Sequence, residues 1–178
     1  IGVVSLLAGN TTFDGFTVDG DNPGIIGGFE INGADVNANA GISNGYTGLP
    51  GDWQPLDNQT IANNIVRNFK VYGIVAWESY SGTAANGHAW RYNWIDNVAA
   101  GLDSSRAMIP IGNWYGDYSY NRATRCYIGI QTNNTYRAPA NPPTITNNEF
   151  YTYRLGIFHN LMYSDAGDFF IEDNIFDT

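Results

Sequence analysis

The chain has 178 residues, with 8 basic against 17 acidic side chains and a net charge of −9, a length that suits one domain. A chain this acidic has no basic face with which to displace counterions from nucleic acid or to dock on anionic lipid. No stretch approaches the roughly 18 consecutive apolar residues of a spanning helix, and a hydrophobic content of 43% is enough for a folded core.

Asn (22 residues) and Gly (21) are the most conspicuous abundances. Both tolerate left-handed backbone, so the chain must turn often. Asn, Gly, Thr and Tyr are weak helix formers, and β-branched residues fill the segments between turns. The composition predicts an all-β fold.

In chain order, Ile1-Gly-Val-Val-Ser-Leu-Leu7 reads as a first strand. A repeat then opens at Phe13-Asp-Gly-Phe-Thr-Val18, followed by an insertion over about 19–40. The repeat is apolar, any, Asn/Asp/Gly, Asn, any, apolar. It recurs at Ile61-Ala-Asn-Asn-Ile-Val66, Trp90-Arg-Tyr-Asn-Trp-Ile95, Tyr118-Ser-Tyr-Asn-Arg-Ala123, Ile145-Thr-Asn-Asn-Glu-Phe150 and Ile171-Glu-Asp-Asn-Ile-Phe176. A Gly-aliphatic step follows each of the first five copies, at Gly41-Ile42, Gly73-Ile74, Gly101-Leu102, Gly129-Ile130 and Gly156-Ile157.

A period of 27–32 residues with three short β segments per unit describes a solenoid. Each unit has an apolar stripe that only stacked neighbours can bury. The pattern sets Ile61 over Trp90 and Val66 under Ile95. It places Asn64, Asn93, Asn121, Asn148 and Asn174 in one column at a corner, where each takes the left-handed conformation and the amides bond along the stack. The expected fold is a right-handed parallel β-helix of about six coils, a single domain over 1–178, with longer loops on one flank.

Thr144-Ile-Thr-Asn-Asn-Glu-Phe150, Tyr127-Ile-Gly-Ile-Gln-Thr132 and Leu155-Gly-Ile-Phe-His159 resemble modules of the right-handed parallel β-helix superfamily, pectate-lyase-like and NosD-like. The resemblance implies a repeat module of large secreted bacterial surface proteins. It does not fix an activity, because such folds carry lyases, hydrolases and non-enzymatic stalks alike.

The expected loops cover 43–59, 75–88, 103–117, 131–143 and 158–169. They carry Tyr46, Trp53, Trp77, Tyr80, Trp114, Tyr115, Tyr136 and Tyr163, rings that could stack on sugars or cover the core. Asp19 and Asp21, with Glu30 and Asp35 in the same insertion, are the candidate oxygen ligands for a calcium cofactor. Lyases of the superfamily pair such a cation with an Arg or Lys base, here Arg67, Lys70, Arg91, Arg125 or Arg154. Arg67 and Asp96 share a column one coil apart, which predicts a cross-strand ion pair.

Signatures of the hydrolases are missing: there is no Asp-Asp pair and no Asn-Thr-Asp, and Gly87-His88-Ala89 matches the Gly-His-Gly motif only in part. His159 reads as a structural residue bonding a turn, and Cys126 as a buried, inert thiol. Sequons at Asn10, Asn58 and Asn133 are glycosylation candidates. With no polar helical cap at either terminus, the chain reads as part of something longer. The expectation is a secreted, cell-surface structural or adhesive module without catalysis, associating with further coils of its own chain or end to end as a filament. The alternatives are a uronate lyase and a glycan-binding module.

Overall fold

The computed structural model describes residues 2–44, 56–76, 85–100, 105–110, 114–133, 143–160 and 170–177. Every regular element among them is a strand. The first six are β1 (Val4–Leu6), β2 (Thr12–Asp14), β3 (Thr17–Asp19), β4 (Phe29–Ile31), β5 (Ala34–Val36) and β6 (Ala40–Asn44). Then come β7 (Thr60–Ala62), β8 (Ile65–Phe69), β9 (Tyr72–Ala76), β10 (Ala85–Arg91), β11 (Trp94–Val98) and β12 (Arg106–Pro110). The remainder are β13 (Trp114–Ser119), β14 (Arg122–Asn133), β15 (Thr144–Thr146), β16 (Glu149–Asn160), β17 (Phe170–Glu172) and β18 (Ile175–Asp177).

The architecture is a parallel β-solenoid. One sheet stacks β2, β7, β10, β13, β15 and β17, all parallel, so that Phe13, Ile61, Trp90, Tyr118, Ile145 and Ile171 form one column. A second face aligns Val18, Val66, Ile95, Ala123, Phe150 and Phe176. A third aligns Val4, Ile42, Ile74, Met108, Ile130 and Ile157. The second and third faces are joined because β14 and β16 run through both, with register shifts around Cys126 where the chain bends. The pairs anticipated from the repeat, Ile61 with Trp90 and Val66 with Ile95, are in register. Their side chains are buried in one continuous core, as a stack of units with inward apolar stripes requires.

Glycine lines part of the third face for a steric reason. A Cβ at Gly41, Gly73, Gly129 or Gly156 would strike the inward side chain of the second face: Val66, Ile95, Phe150 or Phe176 respectively. The expected step at Gly101-Leu102 is corrected. Those residues lie outside the described set, and the residue in register with Gly73 and Gly129 is Ala107 in β12. Thus β12 falls inside the segment 103–117 expected to be a loop. The insertion after β3 holds an antiparallel hairpin, β4 against β5, that buries Ile31 and Val36.

Candidate functional site

The first corner, between the first and second faces, holds the asparagine column. Asn93, Asn121 and Asn148 each make the same set of bonds. In the middle of the stack, Asn121 Oδ1 accepts from Asn93 N (3.0 Å) and Asn93 Nδ2 (3.0 Å), while Asn121 Nδ2 donates to Trp90 O (2.7 Å) and Asn148 Oδ1 (3.2 Å). The pattern repeats from Asn64 through Asn93 and Asn148 to Asn174. A buried amide offers two donors and an acceptor with two lone pairs, and here all are used along the stack axis.

The left-handed residue is not the column asparagine but the one before it. Positive φ falls at Gly15, Asn63, Tyr92, Tyr120, Asn147 and Asp173. That residue makes the bend, and the asparagine after it turns its amide into the core. Tyr92 and Tyr120 bear the cost of a non-glycine left-handed backbone, roughly 1–2 kcal/mol each. Their rings stack outside at 4.9 Å and 12°.

A second corner carries a shorter amide chain. Asn97 Nδ2 donates to Asn68 Oδ1 (2.8 Å) and to Ile31 O (3.0 Å), and Asn32 Nδ2 donates to Asn97 Oδ1 (2.7 Å). Asn68 and Asn97 both have positive φ. These bonds clip the hairpin along the stack. The spacing of four residues after Asn64 and Asn93 was the available sequence signal for this chain. At the turn into β2, Asn58 Nδ2 donates to Asn10 Oδ1 (3.1 Å), so two of the three sequon asparagines are exposed and bonded to each other. Asn133 ends β14, and its side chain lies outside the described residues.

Asp19 is held as an ion-pair partner. Its carboxylate accepts from Arg67 Nε (2.7 Å), Asn68 Nδ2 (2.8 Å) and Asp21 N (3.0 Å). Burial alone would raise its pKa, but these hydrogen bonds outweigh burial and hold it below the usual carboxylate range. The expected Arg67–Asp96 pair is corrected: the two are opposite each other in register, yet Arg67 turns to Asp19 on one side and Asp96 to Arg125 and Thr124 on the other. Burial raises and the bonds from Arg125 and Thr124 lower the Asp96 pKa, with a net downward shift. Asp21 bridges to Val36. Glu30 and Asp35 sit opposite each other in the hairpin, beside a shallow pocket of about 470 Å³. No group of three metal-ligating side chains occurs among the described residues.

Of the anticipated aromatic flank, Tyr46, Trp53, Trp77, Tyr80, Tyr136 and Tyr163 lie outside the described residues. Trp114 and Tyr115 lie in β13, their side chains outside that set. Exposed rings appear instead on the second face and its corner. Trp94 is 43% exposed, with Nε1 donating to Thr124 Oγ1 (2.7 Å), beside the Tyr92–Tyr120 stack and Tyr151 under Arg122. The signal was inside the motif, since residues flanking a column asparagine point outward.

His88 is buried and its pKa is lowered to about 4 by desolvation, against the opposing pull of Asp57. His159 Nδ1 lies 2.5 Å from Thr132 Oγ1 on the neighbouring strand. Cys126 is a buried free thiol, pushed up to about 12 by burial.

The two ends of the core differ. At one end, Val18 is 5% exposed, and the ring of Phe16, standing where later copies have asparagine, stacks on Phe13 at 4.6 Å and 20°. At the other, Ile171 is 45% and Phe176 52% exposed. Comparison of the chain with protein-family models, curated proteins and solved structures gave no match in any of the three. The geometry therefore defines a class, the parallel β-solenoids, and the function is argued from the chain itself.

Proposed function

We propose that this chain is a non-catalytic structural or adhesive module of a secreted, cell-surface protein, a right-handed parallel β-helix of about six coils resembling the pectate-lyase-like and NosD-like modules. The coil count rests on the six-stranded ladder from β2 to β17. The handedness rests on the strong preference of parallel-strand crossovers for the right-handed path. The observation that carries the function is the asparagine column: its polar groups are spent on joining one coil to the next, which suits a load-bearing stack.

The test is absorbance of unsaturated uronate product on pectate and alginate, with and without calcium. No rise is expected in either condition. A rise that needs calcium would replace this reading with a uronate lyase.

A glycan-binding role is the second reading, favoured by Trp94 and the Tyr92–Tyr120 stack on the described surface. Flat, half-exposed rings beside hydroxyl and guanidinium groups suit sugar stacking. Trp94→Ala should then weaken binding to a glycan array without changing the fold. Equal array signals for the two proteins would reject these rings as the platform.

A further inference from the structure

We propose that the tip of the hairpin insertion, where Ile25, Ile26 and Phe29 stand beside Glu30 and Asp35, is a docking knob for another protein, and that its partner is a basic amphipathic segment. The inference goes beyond the structural reading above, because the knob stands on the insertion and outside the repeat.

The insertion after β3 is built to hold its tip still. Asn22, Pro23, Gly24 and Ile25 form a β-turn closed by Ile25 N donating to Asn22 O (2.9 Å), with Pro23 at the position its fixed φ favours. Asn22 Oδ1 accepts from Gly24 N (3.0 Å), and the Asp35 carboxylate accepts from Gly27 N (3.0 Å). At the base, Asn37 Oδ1 accepts from Asn22 N (2.9 Å), Ile31 and Val36 are buried, and Asn32 Nδ2 donates to Asn97 Oδ1 (2.7 Å).

What this ordered tip presents is apolar. Ile26 is 91% exposed, the highest value of any large hydrophobic side chain among the described residues, and Ile25 (53%) and Phe29 (48%) are close by in sequence. Single exposed apolar side chains need no explanation, but three of them within 25–29 on a fixed turn form a patch that a partner would remove from water.

Charge selects the partner. The insertion over about 19–40 carries Asp19, Asp21, Glu30 and Asp35 and no Lys or Arg. Asp19 is paired with Arg67, but Glu30 and Asp35 sit opposite each other across β4 and β5 and line the pocket of about 470 Å³ together with Gly27, Gly28 and Gly33. Lys70 lies over the Phe29 ring at 5.7 Å and offsets one of these charges. Gly27 and Gly33 have open space where a Cβ would stand, so the pocket is lined by backbone and carboxylate. Such a lining takes an ammonium or guanidinium group, while the isoleucines next to it take apolar side chains of the same segment. This rim repels anionic lipid, and a second copy would bring like charges together.

The probe is a short amphipathic helical peptide of leucine, alanine and lysine, titrated into the chain and followed by backbone amide NMR. A peptide with glutamate in place of lysine is the comparison. Expected results are saturable one-to-one binding, shifts centred on 24–36, and an affinity for the glutamate peptide about tenfold lower or less. Ile26→Asp separates docking from the general attraction of a chain of net charge −9 for any polycation, because it removes apolar surface and adds negative charge. It should weaken binding of the lysine peptide about tenfold, and Glu30→Gln about threefold. Both positions are exposed, so the fold is retained. Unchanged or tighter binding by Ile26→Asp, shifts spread over the whole chain, or no saturable binding would overturn the proposal. So would binding of the chain to phosphatidylcholine vesicles, or its sedimentation as a dimer, if Ile26→Asp abolished either, since lipid or a second copy would then be the occupant. None of these outcomes bears on the uronate assay, so failure here leaves the structural reading to be judged separately.

Discussion

Replacing Asn121 with alanine puts the column to its most severe test. The side chain is buried and makes four hydrogen bonds, accepting two from Asn93 and donating to Trp90 O and Asn148 Oδ1. Asn121→Ala leaves two backbone groups, Asn93 N–H and Trp90 C=O, without partners in the interior. At roughly 1–3 kcal/mol for each orphaned buried group, the cost is about 4 kcal/mol. That is a large share of the 5–15 kcal/mol typical of a domain. With a urea slope of about 2 kcal/mol/M, the midpoint should fall by about 2 M. Far-UV ellipticity and tryptophan fluorescence, read on the same samples, check both the size of the shift and whether the stack melts as one unit. Asn174→Ala is the control, because that residue sits on the open coil where water can replace the lost bonds; about 1 kcal/mol is expected there. An Asn121→Ala loss below about 1 kcal/mol, or equal losses at both positions, would refute the reasoning.

Other outcomes follow from single residues. His88 has its pKa lowered from 6.5 to about 4 by burial, so the folded chain resists protonation that the unfolded chain accepts. The corresponding stability is present above pH 6.5 and is lost as pH falls toward 4, about 3 kcal/mol in all. His88→Leu should flatten that part of a stability-versus-pH curve, and an unchanged slope would show that another group titrates. Gly129→Ala should cost about 2–3 kcal/mol, because the added methyl meets the buried Phe150 ring and the Gly156 carbonyl. Gly156→Ala should cost less, because it meets mainly the exposed Phe176 ring, which can swing aside; urea midpoints in the reverse order would contradict this. Cys126 should resist thiol reagents until the chain unfolds, given a buried thiol held up to about 12. Rapid labelling of the native chain would mean that the bend in β14 opens.

The inward columns were legible because a stacked coil exposes the same apolar position once per turn, so Ile61, Trp90 and Tyr118 announce their register. The asparagine column was legible for the same reason. Which residue takes the left-handed bend was not: Asn63-Asn64 and Asn147-Asn148 offer two equally suitable asparagines. Only the copies with Tyr92 and Tyr120 in front of the asparagine distinguish the two roles. Gly101-Leu102 misled because a two-residue signal recurs by chance in a chain with 21 glycines, while Ala107, small enough for the same slot, left no mark. For Arg67 the column was right and the partner wrong. A strand residue faces two neighbours, and its choice of Asp19 over Asp96 depends on Arg125 and Thr124 engaging Asp96 from the next strand.

The central claim is that successive repeats stack in one register along a single axis. Thr17, Ile65, Trp94, Arg122, Glu149 and Ile175 form an outward column by pairing. Spin labels on Thr17→Cys with Arg122→Cys, and on Thr17→Cys with Ile175→Cys, would measure it by pulsed electron–electron resonance; the buried Cys126 stays unlabelled. At about 4.8 Å per ladder step, the two backbone separations should be about 14 and 24 Å, three and five steps along one line. A separation for Thr17–Ile175 no longer than that for Thr17–Arg122 would contradict a linear stack.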